Sequence, residues 1–245
     1  MRLFTKFTLF FSILLMLILI PLETYAAEKG FYKIVTNENT KEEILVGSLP
    51  EANVKLYATE RTGLLENFRL HLSSGDKYLP FWFNVSNRSY WPSLFYKDIN
   101  QDGKKELIFV LTTGYGNDTV KQNVHVFHEI KTDLGNAYEE TLVDNPMAII
   151  LKNVKTNLTK SEAIITLGNK KTVIKIDELG VDPKHLFPDI AIGNITEFEI
   201  LDNKLTANMG ASVSPAGGYL GDFHITYTFK DKMYQVEKIE FIPNK

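Results

Sequence analysis

The chain has 245 residues, 27 of them basic and 30 acidic, for a net charge of −3. That balance argues against a nucleic-acid partner, which would call for a basic face. With no cysteine, disulfides, thiol catalysis and thiolate metal sites are excluded together.

Arg2 and Lys6 precede an apolar run from Phe7 to Leu22, interrupted by Thr8 and Ser12 and followed by the small-residue exit Thr24-Tyr25-Ala26-Ala27. This order of positive, apolar and small residues predicts a secretory signal over residues 1–26, cleaved after Ala26. The run falls short of the roughly twenty apolar residues of a membrane span, so an uncleaved anchor is the lesser reading. No cysteine follows it to carry a lipid. The expected product is exported, soluble and free of the membrane, with 25 basic and 29 acidic residues. Its roughly 219 residues suffice for one large core or two small ones.

β-favouring runs then follow one another. Phe31–Val35, Glu43–Val46 and Val54–Ala58 are short strands. Phe68–Leu72 alternates, with Phe68, Leu70 and Leu72 on one face and Arg69 and His71 on the other. Tyr78 to Val85 reads as the next strand. Eight aromatics crowd residues 78–96 and include both tryptophans. Such a strip either fills a β core or stacks on the rings of a wall polymer. Strand alternation puts Phe81 and Phe83 on one face and Trp82 on the other, so Trp82 is the better candidate for exposure. Trp82, Tyr90 and Trp91 are the candidate ligand contacts.

Between two apolar runs, the segment 98–106 reads Asp98-x-Asn100-x-Asp102-Gly103-x-x-Glu106. Calcium takes six to eight oxygen ligands from carboxylates, amides, carbonyls and water. Asp98, Asn100 and Asp102 at alternate positions converge if the chain curls, and Gly103 supplies the positive φ a curl tends to need. The Lys104 carbonyl and the Glu106 carboxylate complete the expected Ca²⁺ set. The competing reading is a turn in which these side chains only bond local backbone. The twelfth position, where a helical calcium hand carries its bidentate glutamate, is Phe109, so this is a shorter loop between strands.

That strand–loop–strand pattern resembles the calcium loop of the FG-GAP and VCBS-type repeats of extracellular β-propellers. The likeness covers about residues 93–111 and occurs once, so it implies an ion site without implying a propeller. The wider run from Trp91 to His128, with Thr-Thr-Gly-Tyr-Gly at 112–116, looks like uncharacterised secreted proteins of Gram-positive type. No activity comes with that likeness.

Leu107 to Leu111 is apolar on both faces and is expected at the centre of a sheet. Asn123 to Ile130 is a strand on which His125 and His128, three apart, face opposite sides. Lys131 to Pro146 reads as a polar loop and a lobe boundary. Ala148–Leu151 resumes the β pattern, Glu162–Leu167 and Thr172–Ile176 flank a Gly168-Asn169 turn as a hairpin, and 177–187 holds one helical turn. A meander closes the chain, with turns at Asp202-Asn203 and Asp231-Lys232. The Gly-rich stretch 210–221 leads into a strand, so it reads as a hairpin loop rather than a phosphate cradle.

The expectation is an all-β protein of antiparallel sheets and meanders, as a sandwich or two small lobes. Residues 27–140 form a lobe with the calcium loop and 141–245 a second, with a single domain as the alternative. Catalytic signatures are absent: no Gly-x-Ser-x-Gly elbow surrounds Ser212 or Ser214. The favoured reading is a secreted or wall-associated, non-enzymatic protein offering its surface to a cell-wall glycan or a protein partner. The alternative is a glycan-directed hydrolase with dispersed carboxylates.

Overall fold

In a computed structural model that describes residues 42–133, 135–215 and 217–244, the described residues form sixteen strands, one α-helix and four single-turn 3-10 helices. The chain is all-β, and its sheets are mainly antiparallel. The secretion signal and the run Phe31–Val35 lie outside the described residues.

β1 (Glu43–Leu49), β2 (Val54–Arg61), β3 (Leu64–Leu72) and β4 (Gly75–Leu79) pair in sequence order, and the short β5 (Asn84–Val85) joins β3. A second, eight-stranded sheet has the order β13-β14-β15-β16-β9-β8-β7-β6. Its members are β6 (Ser93–Lys97), β7 (Glu106–Gly116), β8 (Thr119–Thr132), β9 (Gly135–Val143), β13 (Ala191–Leu201), β14 (Lys204–Ser212), β15 (Tyr219–Lys230) and β16 (Met233–Pro243). Two short parallel pairings bend this sheet round on itself. Met233 and Tyr234 of β16 pair with Leu142 and Val143 of β9, and Ile195 and Thr196 of β13 pair with Val120 and Lys121 of β8. The pairings therefore close a ring through β8, β9, β16, β15, β14 and β13, from which β7 and β6 extend. β10 (Val154–Leu158), β11 (Glu162–Leu167) and β12 (Lys170–Lys175) form a separate three-stranded sheet. Strands from both sides of residue 140 thus share one sheet.

β7 sits between two cores. Leu107, Phe109 and Leu111 face a cluster built on the five-stranded sheet, with Leu56, Phe68, Leu70 and Phe127. Ile108 and Val110 face the other way, into a cluster with Val126, Phe223, Ile225, Tyr227 and Tyr234. An unbroken apolar run suits a strand buried on both faces.

Three expectations are corrected. Ala148–Leu151 lies within a helix, α1 (Pro146–Asn153), whose start is fixed by Pro146 and by Asn145 Oδ1 accepting from the Ala148 N–H at 3.1 Å. Asn at the cap and Pro in the first turn favour helix entry. The polar stretch 131–146 holds β9, which pairs with β8 from Val126↔Thr141 to Thr132↔Gly135. Its polar residues occupy an exposed sheet surface. The run Tyr78–Val85 is no continuous strand, since β4 ends at Leu79 and a turn follows at Pro80–Phe81. The hairpin at Gly168-Asn169 forms as expected, with Leu167 opposite Lys170. Both meander turns are two-residue loops in which Asp202, Asn203, Asp231 and Lys232 all have positive φ.

Candidate metal centre

β6 and β7 run antiparallel and end on the pair Lys97↔Glu106, so residues 98–105 must cross a narrow gap. Ile99, 2% exposed, pins this crossing into the ring's core. The curl needs left-handed backbone at Gln101 (φ 63°) and Gly103 (φ 86°). Carboxylate oxygens of Asp98, Asp102 and Glu106 then lie within 4.8 Å of one another.

Local hydrogen bonds hold the cluster. Asp98 Oδ1 accepts from the Gln101 N–H at 2.7 Å and Oδ2 from the Gly103 N–H at 3.0 Å. Asn100 Oδ1 accepts from the Asp102 N–H at 2.9 Å, and Asp102 Oδ1 from the Lys104 N–H at 2.8 Å. Glu106 Oε2 accepts from the Ile99 N–H at 2.8 Å. The Asx-turn bonds and the convergence of carboxylates thus occur together. Each bonded oxygen keeps a second lone pair, so the turn aims acceptors without using them up.

The electrostatics are lopsided. Glu106 is 2% exposed, and burial pushes its carboxyl up to about 7. The charges of Asp102 and Asp98 push the same way, while the backbone N–H groups of Ile99 and Asn100 oppose. None of the three acids forms an ion pair among the described residues. Lys105 reaches instead to Glu51, at 3.4 Å. The field of the cluster extends to β16 and β8, where the buried Tyr234 hydroxyl meets His128 Nε2 at 3.0 Å. Burial raises the Tyr234 pKa, and Glu106, Asp102 and Asp98 add to it. Burial lowers that of His128, with Asp102 opposing. Three oxygen donors around one point, one buried and none neutralised by a base, can hold a metal ion. An all-oxygen donor set suits a hard cation.

The aromatic strip divides differently from the expectation. Trp82 is only 7% exposed, stacked on His125 with ring centroids 4.0 Å apart and tilted against Phe68, Phe109 and Phe127. Phe81 and Phe83 do share one side with Trp82 on the other, but it is Trp82 that faces the core. Its neighbours turn outward instead, Phe81 at 93%, Tyr78 at 71% and Phe83 at 42% exposed. Tyr90 and Trp91 are half-buried. Tyr90 stacks on Tyr115 at 4.5 Å, and Trp91 Nε1 donates to the Ser86 carbonyl at 3.0 Å. His125 and His128 engage separate partners, Glu140 at 2.6 Å and Tyr234.

Asn84, which no sequence signal marks, ties this segment to β7. Fully buried, it donates Nδ2 to the carbonyls of Val85 and Tyr90 and accepts from the Thr112 N–H at 2.6 Å. Comparison with protein families, curated proteins and solved structures finds no match for this chain.

Proposed function

We propose that the chain is a secreted or wall-associated, non-catalytic protein whose β scaffold is stiffened by Ca²⁺ and presents an aromatic surface to a cell-wall glycan or protein partner. The observation that carries the calcium reading is the convergence of Asp98, Asp102 and the buried Glu106 without a basic partner. An ion there removes the repulsion among three acids and the cost of charging a buried one. In this reading Asn100 and the Lys104 carbonyl complete the shell with water. Calcium is preferred over magnesium because a short loop offers adaptable, irregular ligand geometry, whereas magnesium demands near-ideal octahedral coordination and keeps its waters. The exposed Tyr78, Phe81 and Phe83 support the binding surface, since stacking on sugar rings needs accessible aromatic faces.

Thermal melts of metal-stripped protein, with and without about 1 mM Ca²⁺, test the first half. For a Kd of about 10⁻⁴–10⁻³ M, common among extracellular modules, calcium adds about 0.4–1.4 kcal/mol. Asp102→Ala abolishes that gain. Retention on purified cell wall tests the second half, where Phe81→Ala combined with Phe83→Ala weakens retention without moving the melt. Equal melting with and without calcium, with no heat of binding, removes the ion. Undiminished retention of the double variant removes the surface.

A further inference from the structure

A large cavity opens where the β7–β8 hairpin tip, the start of β13 and the β14–β15 loop meet. It has a volume of about 1000 Å³, at the upper end of the size range of small-molecule sites. Its rim is tied down. The Val213 N–H donates to the Gly218 carbonyl at 2.9 Å, and the Phe187 N–H donates to the Val213 carbonyl at 2.8 Å. Gly218 is required there. Its φ is +71°, and a Cβ would stand 2.7 Å from Val213 Cγ2 and 3.0 Å from Val181 Cγ2.

The lining has an apolar body and an acidic edge. Phe187, Leu179 and Ile195, all half-buried, supply apolar surface, and Tyr219 adds a ring. The charged lining residues among the described residues are Asp118 and Glu178, both acids. Glu178 lies 3.6 Å from Lys175, whereas Asp118 has no ion-pair partner among the described residues. Lys121, the base nearest in sequence to the hairpin tip, lines a neighbouring cleft instead. Negative potential also comes from within the wall. Asn194 donates Nδ2 to the Asp118 carbonyl at 3.0 Å, leaving its buried Oδ1 without a partner. Behind Tyr219, whose hydroxyl donates to Asp222, the Glu197 carboxyl is held above the usual range by burial first and then by Asp222 and Glu199.

We infer that this cavity binds a small organic cation, an ammonium head on an apolar body, with the head at Asp118 and the body against Phe187 and Tyr219. An apolar wall alone would take neutral ligands. An acidic edge, with one unpaired buried acceptor at Asn194, selects among them for positive charge and rejects anions. The site is independent of the calcium loop and of the aromatic surface.

Three probes with the same aryl body isolate the charge: phenethylamine, 2-phenylethanol and 3-phenylpropanoate, each titrated into the full folded protein and followed by amide NMR. Phenethylamine should shift the amides of Thr119, Ser212 and Tyr219 and bind about tenfold more tightly than the alcohol, with the carboxylate weaker still. Asp118→Asn keeps the left-handed turn at that position (φ 53°), which asparagine tolerates. It should weaken the amine severalfold and leave the alcohol unchanged. A second variant, Ala191→Leu, narrows the cavity from a half-buried lining position and should weaken amine and alcohol alike. Equal affinities for the three probes, shifts confined to other surfaces, or no saturable binding of the amine would each overturn the proposal.

Discussion

Replacing Glu106 by glutamine tests the acidic loop most directly. The substitution keeps an oxygen for the Ile99 N–H, preserves volume and removes the charge. The folded carboxyl stands at about 7 against an ordinary value of 4.5. At about 1.4 kcal/mol per pH unit, charging Glu106 costs the metal-free protein about 3 kcal/mol. Because Glu106 is buried, solvent screening does little to reduce this. The folded pKa is raised, so the folded state holds the proton more tightly than the unfolded chain. Below about pH 4.5 both states are protonated and the cost is absent. It grows as pH rises towards 7 and stays constant above. Urea unfolding of metal-stripped protein, followed by tryptophan fluorescence from pH 4.5 to 8.5, should show Glu106→Gln gaining about 3 kcal/mol on the unmutated protein across that window. His128, whose depressed pKa gives its own pH dependence, contributes to both proteins and cancels in the difference. Calcium at about 1 mM should narrow the gap by about 0.4–1.4 kcal/mol by stabilising the unmutated protein more than the variant. Parallel stability curves in metal-free buffer would refute the reasoning, since a buried, uncompensated carboxylate cannot be pH-neutral.

Trp82→Ala should cost about 3–5 kcal/mol in a urea melt, as for other large aromatics removed from a core; a change below 1 kcal/mol would return the residue to the surface. Asn84→Ala leaves the Thr112 N–H and the carbonyls of Val85 and Tyr90 without their side-chain partner, and should cost at least about 2 kcal/mol. Gly221→Ala should cost on the order of 3 kcal/mol by denaturant unfolding, because φ is +132° and a Cβ would lie 2.1 Å from the Ile242 carbonyl oxygen.

Much of the fold is legible wherever side-chain period and turn chemistry agree. The alternation of Phe68, Leu70 and Leu72, the two-faced run 107–111 and the turns at 168–169 and 202–203 follow from local chemistry that tertiary contacts reinforce. Failures arise where one residue redirects the chain. Alternation separates Trp82 from Phe81 and Phe83 correctly but does not say which side meets the core. After the turn at Pro80–Phe81, Trp82 is the one packed inward. Asn145-Pro146 starts a helix in a stretch whose apolar residues fit either period. β9 hides in a polar run because a strand with a solvated face need not be apolar. At the loop, the oxygen-rich spacing gives the convergence of Asp98, Asp102 and Glu106. The depth of Glu106 does not follow from spacing, because it depends on β16 and β8 arriving from distant sequence to place Tyr234 and His128 nearby. The large cavity had no local signal at all, being assembled from five separated segments.

The position of β7 between two cores bears on how the chain unfolds. Phe109 and Ile108 leave water on opposite faces of one strand, so neither face is stable until the elements on both sides have arrived. Loss of the five-stranded sheet would bare Leu107, Phe109 and Leu111 along one face of a strand that the ring also needs. The two clusters therefore share a party wall rather than a hinge, and their melting is coupled through it. Denaturant should remove both in one cooperative transition, and a fragment cut on either side of β7 would carry an apolar face with nothing to cover it.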